Sequence, residues 1–215
     1  MTATRDVEQR EPRTDEIRQI LKEFKEQHTE EFEFARTLFS VLVDPDAYYR
    51  DDLSDDEACN VNSIFSEWCL FDFKQPSGLS LIEEAALDDP SISQFAHTQF
   101  YSRFWVTKQD NKRGIIRLRD VETRDEFEVW DERAAARRVW RRGTLGVRIA
   151  RVGDVWVSAG TTSLHDNAPS KPRSAKLGAR RDHEGDPWLF LRDAEAVVGH
   201  NGIFHDSLLS VGPIE

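Results

Sequence analysis

Sulfur is scarce in this chain: its 215 residues include two Cys and one Met. Cys59 and Cys69 lie ten apart in a helix-patterned stretch, too few for a disulfide scaffold or a four-cysteine zinc site. Both read as small core residues. No apolar run approaches the ~18 residues a membrane span needs. The first twenty residues lack the apolar centre of a secretion signal, so the chain reads as cytoplasmic and no membrane partner is expected. Also missing are G-x-S-x-G, G-x4-G-K-[ST], G-x-G-x-x-G and H-E-x-x-H. The acid-rich motifs Asp44-Pro45-Asp46 and Asp51-Asp52-x-x-Asp55-Asp56-Glu57 lack the Gly of a calcium loop and read as a solvated helix-entry loop. These absences leave no reaction class indicated, and no cofactor is expected.

What the chain does have is charge, and the charge is segregated. The net value of −11 conceals a first segment, residues 1–102, with 9 Lys+Arg against 23 Asp+Glu. Residues 103–151 reverse the balance, with 14 basic against 8 acidic residues. Overall acidity argues against general nucleic-acid binding, while the basic middle is a local exception that fits phosphates, an acidic partner or the chain's own acidic half.

The hydrophobic period changes near residue 103. Before it, Ile17, Leu21, Phe24, His28, Phe32, Ala35, Leu38, Phe39 and Leu42 recur at helical spacing, with Thr14 as a cap and Asp44-Pro45 as the stop. A second helix is expected over about Ser54–Phe73, a third from Leu81 toward Pro90, and a fourth within Ser91–Tyr101. After it come short alternating segments: Ser102–Lys108, Ile115–Asp120, Glu126–Asp131, Thr144–Val152 and Val155–Gly160, with a helix over Glu132–Arg141. Five such strands suffice for a small barrel. The expected fold class is α+β: an N-terminal helical segment packed on a small, mainly antiparallel SH3-like or OB-like β-barrel with a C-terminal tail. The expected divisions are a flexible arm (1–13), helices (14–101), barrel (102–164), a polar linker or long loop (165–187) and a docking tail (188–215).

Residues Phe65-Ser66-Glu67-Trp68-Cys69-Leu70-Phe71-Asp72-Phe73, with Pro76-Ser77-Gly78-Leu79-Ser80-Leu81-Ile82-Glu83 after them, form one quotable motif. Leu118-x-Asp120-x-x-Thr123-x-x-Glu126-x-Glu128-Val129 and Arg142-Gly143-Thr144-Leu145-x-x-Arg148-Ile149-x-x-Val152-x-x-x-Trp156-x-Ser158 form two more. Together, over about residues 60–160, they resemble a family of uncharacterised bacterial proteins. Many of those end in the cysteine-rich zinc motif also found at the C terminus of SecA. The resemblance implies helices leading into strands and carries no activity. No C-x-C cluster stands in this chain, so the zinc motif does not transfer.

Three sets of residues are candidates for function. Arg133, Arg137 and Arg141 fall at i, i+4 and i+8, with Arg138 and Arg142 beside them and Arg148 and Arg151 on the next strand. They read as a ridge for an acidic peptide or for phosphates, or as a latch onto the acidic helices. In the strands, Phe104, Val106, Phe127, Val129, Leu145, Val147, Ile149, Val155 and Val157 share one phase, and Trp105, Trp130 and Trp156 the other. With the aliphatics inside the barrel, the indoles face out, as a binding platform or as the seam under the helices. Finally His183, His200, His205 and Asp206 gather late in the chain, a constellation open to a metal-dependent hydrolase. The leading expectation is a non-enzymatic module that binds another protein through the Trp/Arg surface. Nucleic acid on Arg133–Arg151 is the alternative and the hydrolase a second one. The oligomeric state is left open.

Overall fold

Each helix boundary has a local cause. The computed structural model describes residues 12–137, 144–160, 164–166 and 187–199. Helix α1 (Pro12–Gln27) starts two residues before the expected Thr14 cap and stops before His28, whose backbone leaves the helical region at φ −129° and ψ 53°. The expected single helix is thus two, with α2 (Thr29–Val43) continuing beyond the break. Asp44 ends α2, and its carboxylate accepts from the Asp46 and Ala47 amides to start the single turn α3 (Pro45–Tyr48). Helix α4 (Asp55–Phe71) opens on a capping box, in which Glu57 takes the Ser54 amide at 2.7 Å and Ser54 takes the Glu57 amide. Helix α5 (Leu81–Asp88) has the same device at Ser80 and Glu83. The fourth expected helix is only α6 (Ser93–Thr98), after a 3-10 turn at Pro90–Ile92.

The barrel strands are β1 (Phe100–Asp110), β2 (Ile115–Asp120), β3 (Glu126–Trp130), β4 (Thr144–Val152) and β5 (Val155–Ser158). They run in the order β1-β2-β3-β5-β4, and pairing of β1 with β4 closes the ring. Every pair is antiparallel except β3 with β5. Helix α7 (Glu132–Ala136) lies between β3 and β4. That order, with its parallel pair and inserted helix, is OB-type rather than SH3-like. A sixth strand, β6 (Leu164–Asp166), adds to β4 over Thr144–Gly146. Helix α8 (Pro187–Gly199) follows.

Two cores result. Phe100, Phe104, Val106, Ile116, Leu118, Phe127, Val129, Leu145, Val147 and Ile149 fill the barrel, which Ala134 and Ala135 of α7 plug. The larger core joins α1 to α6 and α8 to the outward faces of β1, β4 and β5, through Tyr101, Ala150 and Val157. Among the described residues, no helix is long and apolar enough to cross a membrane.

Candidate functional site

Strand register decides where the tryptophans go. Residues directly opposite in a ladder point to the same face. Ile149 points into the barrel, and its partner across β4–β5 is Ser158; two residues along, Arg151 pairs with Trp156. Trp156 is therefore on the inner phase, edge-on to Phe127 at 5.1 Å and to Phe100 at 6.0 Å. Val155 and Val157 face the helices instead. The expected parity is inverted in β5. It holds in β3, where Trp130 faces outward and packs against the helical core. Trp105 also faces outward, but only 6% of it is exposed. The β2–β3 turn lays the Arg124 guanidinium 4.5 Å above its ring. Asp120 shapes that turn by accepting from the amides of Glu122 and Thr123, and Arg124 takes the left-handed conformation at φ 72°. The three indoles therefore do not form one open platform.

The arginines separate in the same way. Arg148 is 2% exposed. It points from β4 into the seam, donating to Glu67 at 3.2 Å, Asp72 at 2.6 Å and Gln99 at 2.6 Å. Its guanidinium lies 4.7 Å from the Phe71 ring and 5.4 Å from Phe190. It is an internal latch between barrel and helices, not a surface contact, which corrects its expected place in a binding ridge. Helix α7 ends at Ala136, and Arg137 is extended and half-buried beyond it, so Arg133 and Arg137 do not share a helical face. Gln109 catches that end by donating to the carbonyls of Ala134 and Arg137. Arg133 is exposed. Arg138, Arg141 and Arg142 lie outside the described residues, as do His183, His200, His205 and Asp206. Among the described residues no three His, Cys, Asp or Glu side chains gather as metal ligands.

A second latch stands beside the first. Asp193 of α8, 3% exposed, accepts from the Tyr101 hydroxyl at 2.8 Å and from both nitrogens of one Arg103 edge, at 3.2 and 2.5 Å. The ring of Phe190 meets Tyr101 edge-on at 5.0 Å. Gly146 makes room, since a Cβ there would overlap the Tyr101 hydroxyl. Burial, and then the neighbouring Asp193 carboxylate, push the Tyr101 phenol well above its ordinary value. Burial raises Asp72 despite the opposing charge of Arg148. These groups are paired with one another and closed in, which suits a structural joint.

The exposed outer face of β2 and β3 is laced with ion pairs. Arg117 pairs with Glu128 across β2–β3, and Arg119 with Glu126. These alternating pairs neutralise the charges of β2 and β3 locally, and the excess of basic residues lies elsewhere in the segment.

The open apolar surface lies on the helices. Phe34 is 62% exposed, Val41 66% and Leu42 37%. At 100° per residue, Phe34 and Val41 share one face of α2, opposite its buried Phe32, Ala35, Phe39 and Val43, while Leu38 between them is half-buried and also packs against the core. Sequence reading missed this stripe and assigned Leu42 to the core. The available signal was two large apolar residues, Phe34 and Val41, out of phase with the core-facing set. No family model, curated protein or solved structure matches this chain, so the surface has to be read from its own chemistry.

Proposed function

We propose that this protein is a non-enzymatic protein-binding module whose contact surface is the outer face of α2. One observation carries the reading: a surface helix with large apolar side chains on two opposite faces, one buried and one open. Helices apolar all round are ordinarily buried on all sides, and contiguous apolar patches mark interaction sites. The Trp/Arg barrel surface is a weaker version of the same reading, because Arg148, Trp105 and Trp156 are occupied internally.

A photo-crosslinking residue in place of Val41, in the full chain and in the source cell, tests it. The expected result is a discrete protein adduct that Phe34→Ser abolishes and that the same probe at Glu128, on the barrel face, does not give. No adduct at position 41, or the same adducts at both positions, would overturn it.

A second reading places nucleic acid at one end of the barrel. It is favoured by the exposed Lys112, Arg113 and Arg133, since the Asp131 amide bonds Gly114 at 2.8 Å and so brings the β1–β2 turn beside the start of α7. Oligonucleotide binding that weakens steeply with salt, with a slope that Arg133→Ala reduces, is its signature. Salt-independent or absent binding removes it.

A further inference from the structure

We propose that the α2 face receives a basic amphipathic helix from another protein; this rests on the protein-binding reading and gives the partner its chemistry. Phe34 and Val41 are seven residues apart, with the half-buried edge of Leu38 between them, so the stripe spans about 10 Å. That is two turns, the span over which a docked helix presents anchors at i, i+3 or i+4, and i+7.

Acids stand at one end of the stripe. Glu30 and Glu31 continue its line toward the N-terminus of α2 and Glu33 stands on its flank, all exposed. Further along the chain come exposed Asp46 and Asp51, and Asp52, which pairs with Arg50 at 2.6 Å. The one base on α2, Arg36, reaches Glu33 at 3.7 Å and turns the rest of its guanidinium toward the core side, so Glu30 and Glu31 are the acids in line with the stripe. The Arg36 guanidinium lies 5.2 Å from the Phe32 ring and 4.8 Å from Phe65, and it donates to Asn62 at 3.2 Å.

Charge then selects among occupants. A second copy would bring another segment with 9 basic and 23 acidic residues against this one, and like charges repel. Residues 200–215 include Ile203, Phe204 and Leu208, but their charges are Asp206 and Glu215, with no Lys or Arg. An apolar helix face flanked by Lys and Arg satisfies both the stripe and its rim.

The test uses the full chain and two labelled helical peptides of about 18 residues, one of Leu and Lys and the other of Leu and Glu, each with Leu at i, i+3, i+4 and i+7. Fluorescence anisotropy reads their affinity. The Leu/Lys peptide is expected to bind at least about tenfold tighter than the Leu/Glu peptide, and to weaken severalfold from about 50 to about 300 mM salt. Phe34→Ser and Val41→Ser should each weaken it about tenfold with helicity intact by circular dichroism, whereas Leu87→Ser, at an exposed site on α5, should not.

Equal binding of the two peptides, or no loss with Phe34→Ser and Val41→Ser, would overturn the proposal. So would dimerisation abolished by Phe34→Ser, which gives the face to a second copy. Peptide binding that appears only after removal of residues 200–215 would give it to the chain's own terminus. An adduct at position 41 without a Leu/Lys preference sinks this assignment alone; no adduct at all sinks the reading beneath it.

Discussion

The barrel and the helices treat their side chains oppositely. The basic barrel closes on itself: Arg117 and Arg119 lie across from Glu128 and Glu126, Arg124 covers Trp105, and Trp156 sits with Phe100 and Phe127. What the barrel sends outward, Arg148 and Tyr101, goes to the helices and α8. The acidic helical half leaves apolar side chains open on α2 and sets Glu30 and Glu31 in line with them toward its N-terminus. An excess of arginine and tryptophan in a sequence segment is therefore no measure of how much binding surface that segment offers. Where each ring and guanidinium points is settled by strand register and by which neighbour needs a partner.

The contrast is sharpest at Arg148. Replacing it with Met should cost about 3–5 kcal/mol in urea denaturation, because Glu67 and Asp72 are left buried without their cation. Adding Glu67→Gln should recover part of the loss. A cost near zero would mean that Arg148 is not a latch. Next comes Gly146→Ala, expected to cost about 1–3 kcal/mol by displacing Tyr101 from Asp193, with the thermal midpoint as readout.

Tyr101→Phe should cost about 0.5–1.5 kcal/mol at neutral pH. Its pH signature follows from its raised phenol. The folded state keeps a proton that the unfolded chain releases, so the stabilisation is complete below the ordinary value of about 10 and is lost as pH rises through the folded value. Absorbance titration should find Tyr101 un-ionised until the alkaline transition, and Tyr48, which burial pushes up to about 12, equally late.

The smallest stability effects belong to the surfaces. Arg119→Ala should change stability by about 0–1 kcal/mol. Phe34→Ser should stay within about 0.5 kcal/mol while abolishing the adduct at position 41. A large stability loss from Phe34→Ser would show that this ring serves the core, and the comparison would fail on the helical side.

Much of the fold was legible because its signals are local. The Ile115–Asp120 and Thr144–Val152 strands were readable from alternation and turn residues, and α4 from its run of acids after Ser54. Trp156 was not legible. In a strand of four residues either phase can be the inner one, and only the pairing of Arg151 with Trp156 fixes which. The break at His28 was hidden because the backbone hydrogen bonds from His28 to Phe24 and from Phe32 to His28 keep the helical spacing across it. The role of Arg148 left a trace in retrospect: an arginine within the buried run from Leu145 to Ala150, and an acid, Glu67, within the apolar stretch from Ile64 to Phe71. Two charges that local patterning does not require, on separate elements, mark a buried pair. The stripe on α2 went unread because attention to the core-facing period leaves the opposite face unexamined.

Hydroxyl-radical footprinting of the intact free protein compares the two regions most directly, since one labelling reaction reads every aromatic and aliphatic side chain at once. Heavy oxidation at Phe34, Val41 and Leu42, with Trp105 and Trp156 protected, is the expected pattern. Protected α2 residues beside strongly labelled barrel tryptophans would contradict it, and would return the binding surface to the barrel.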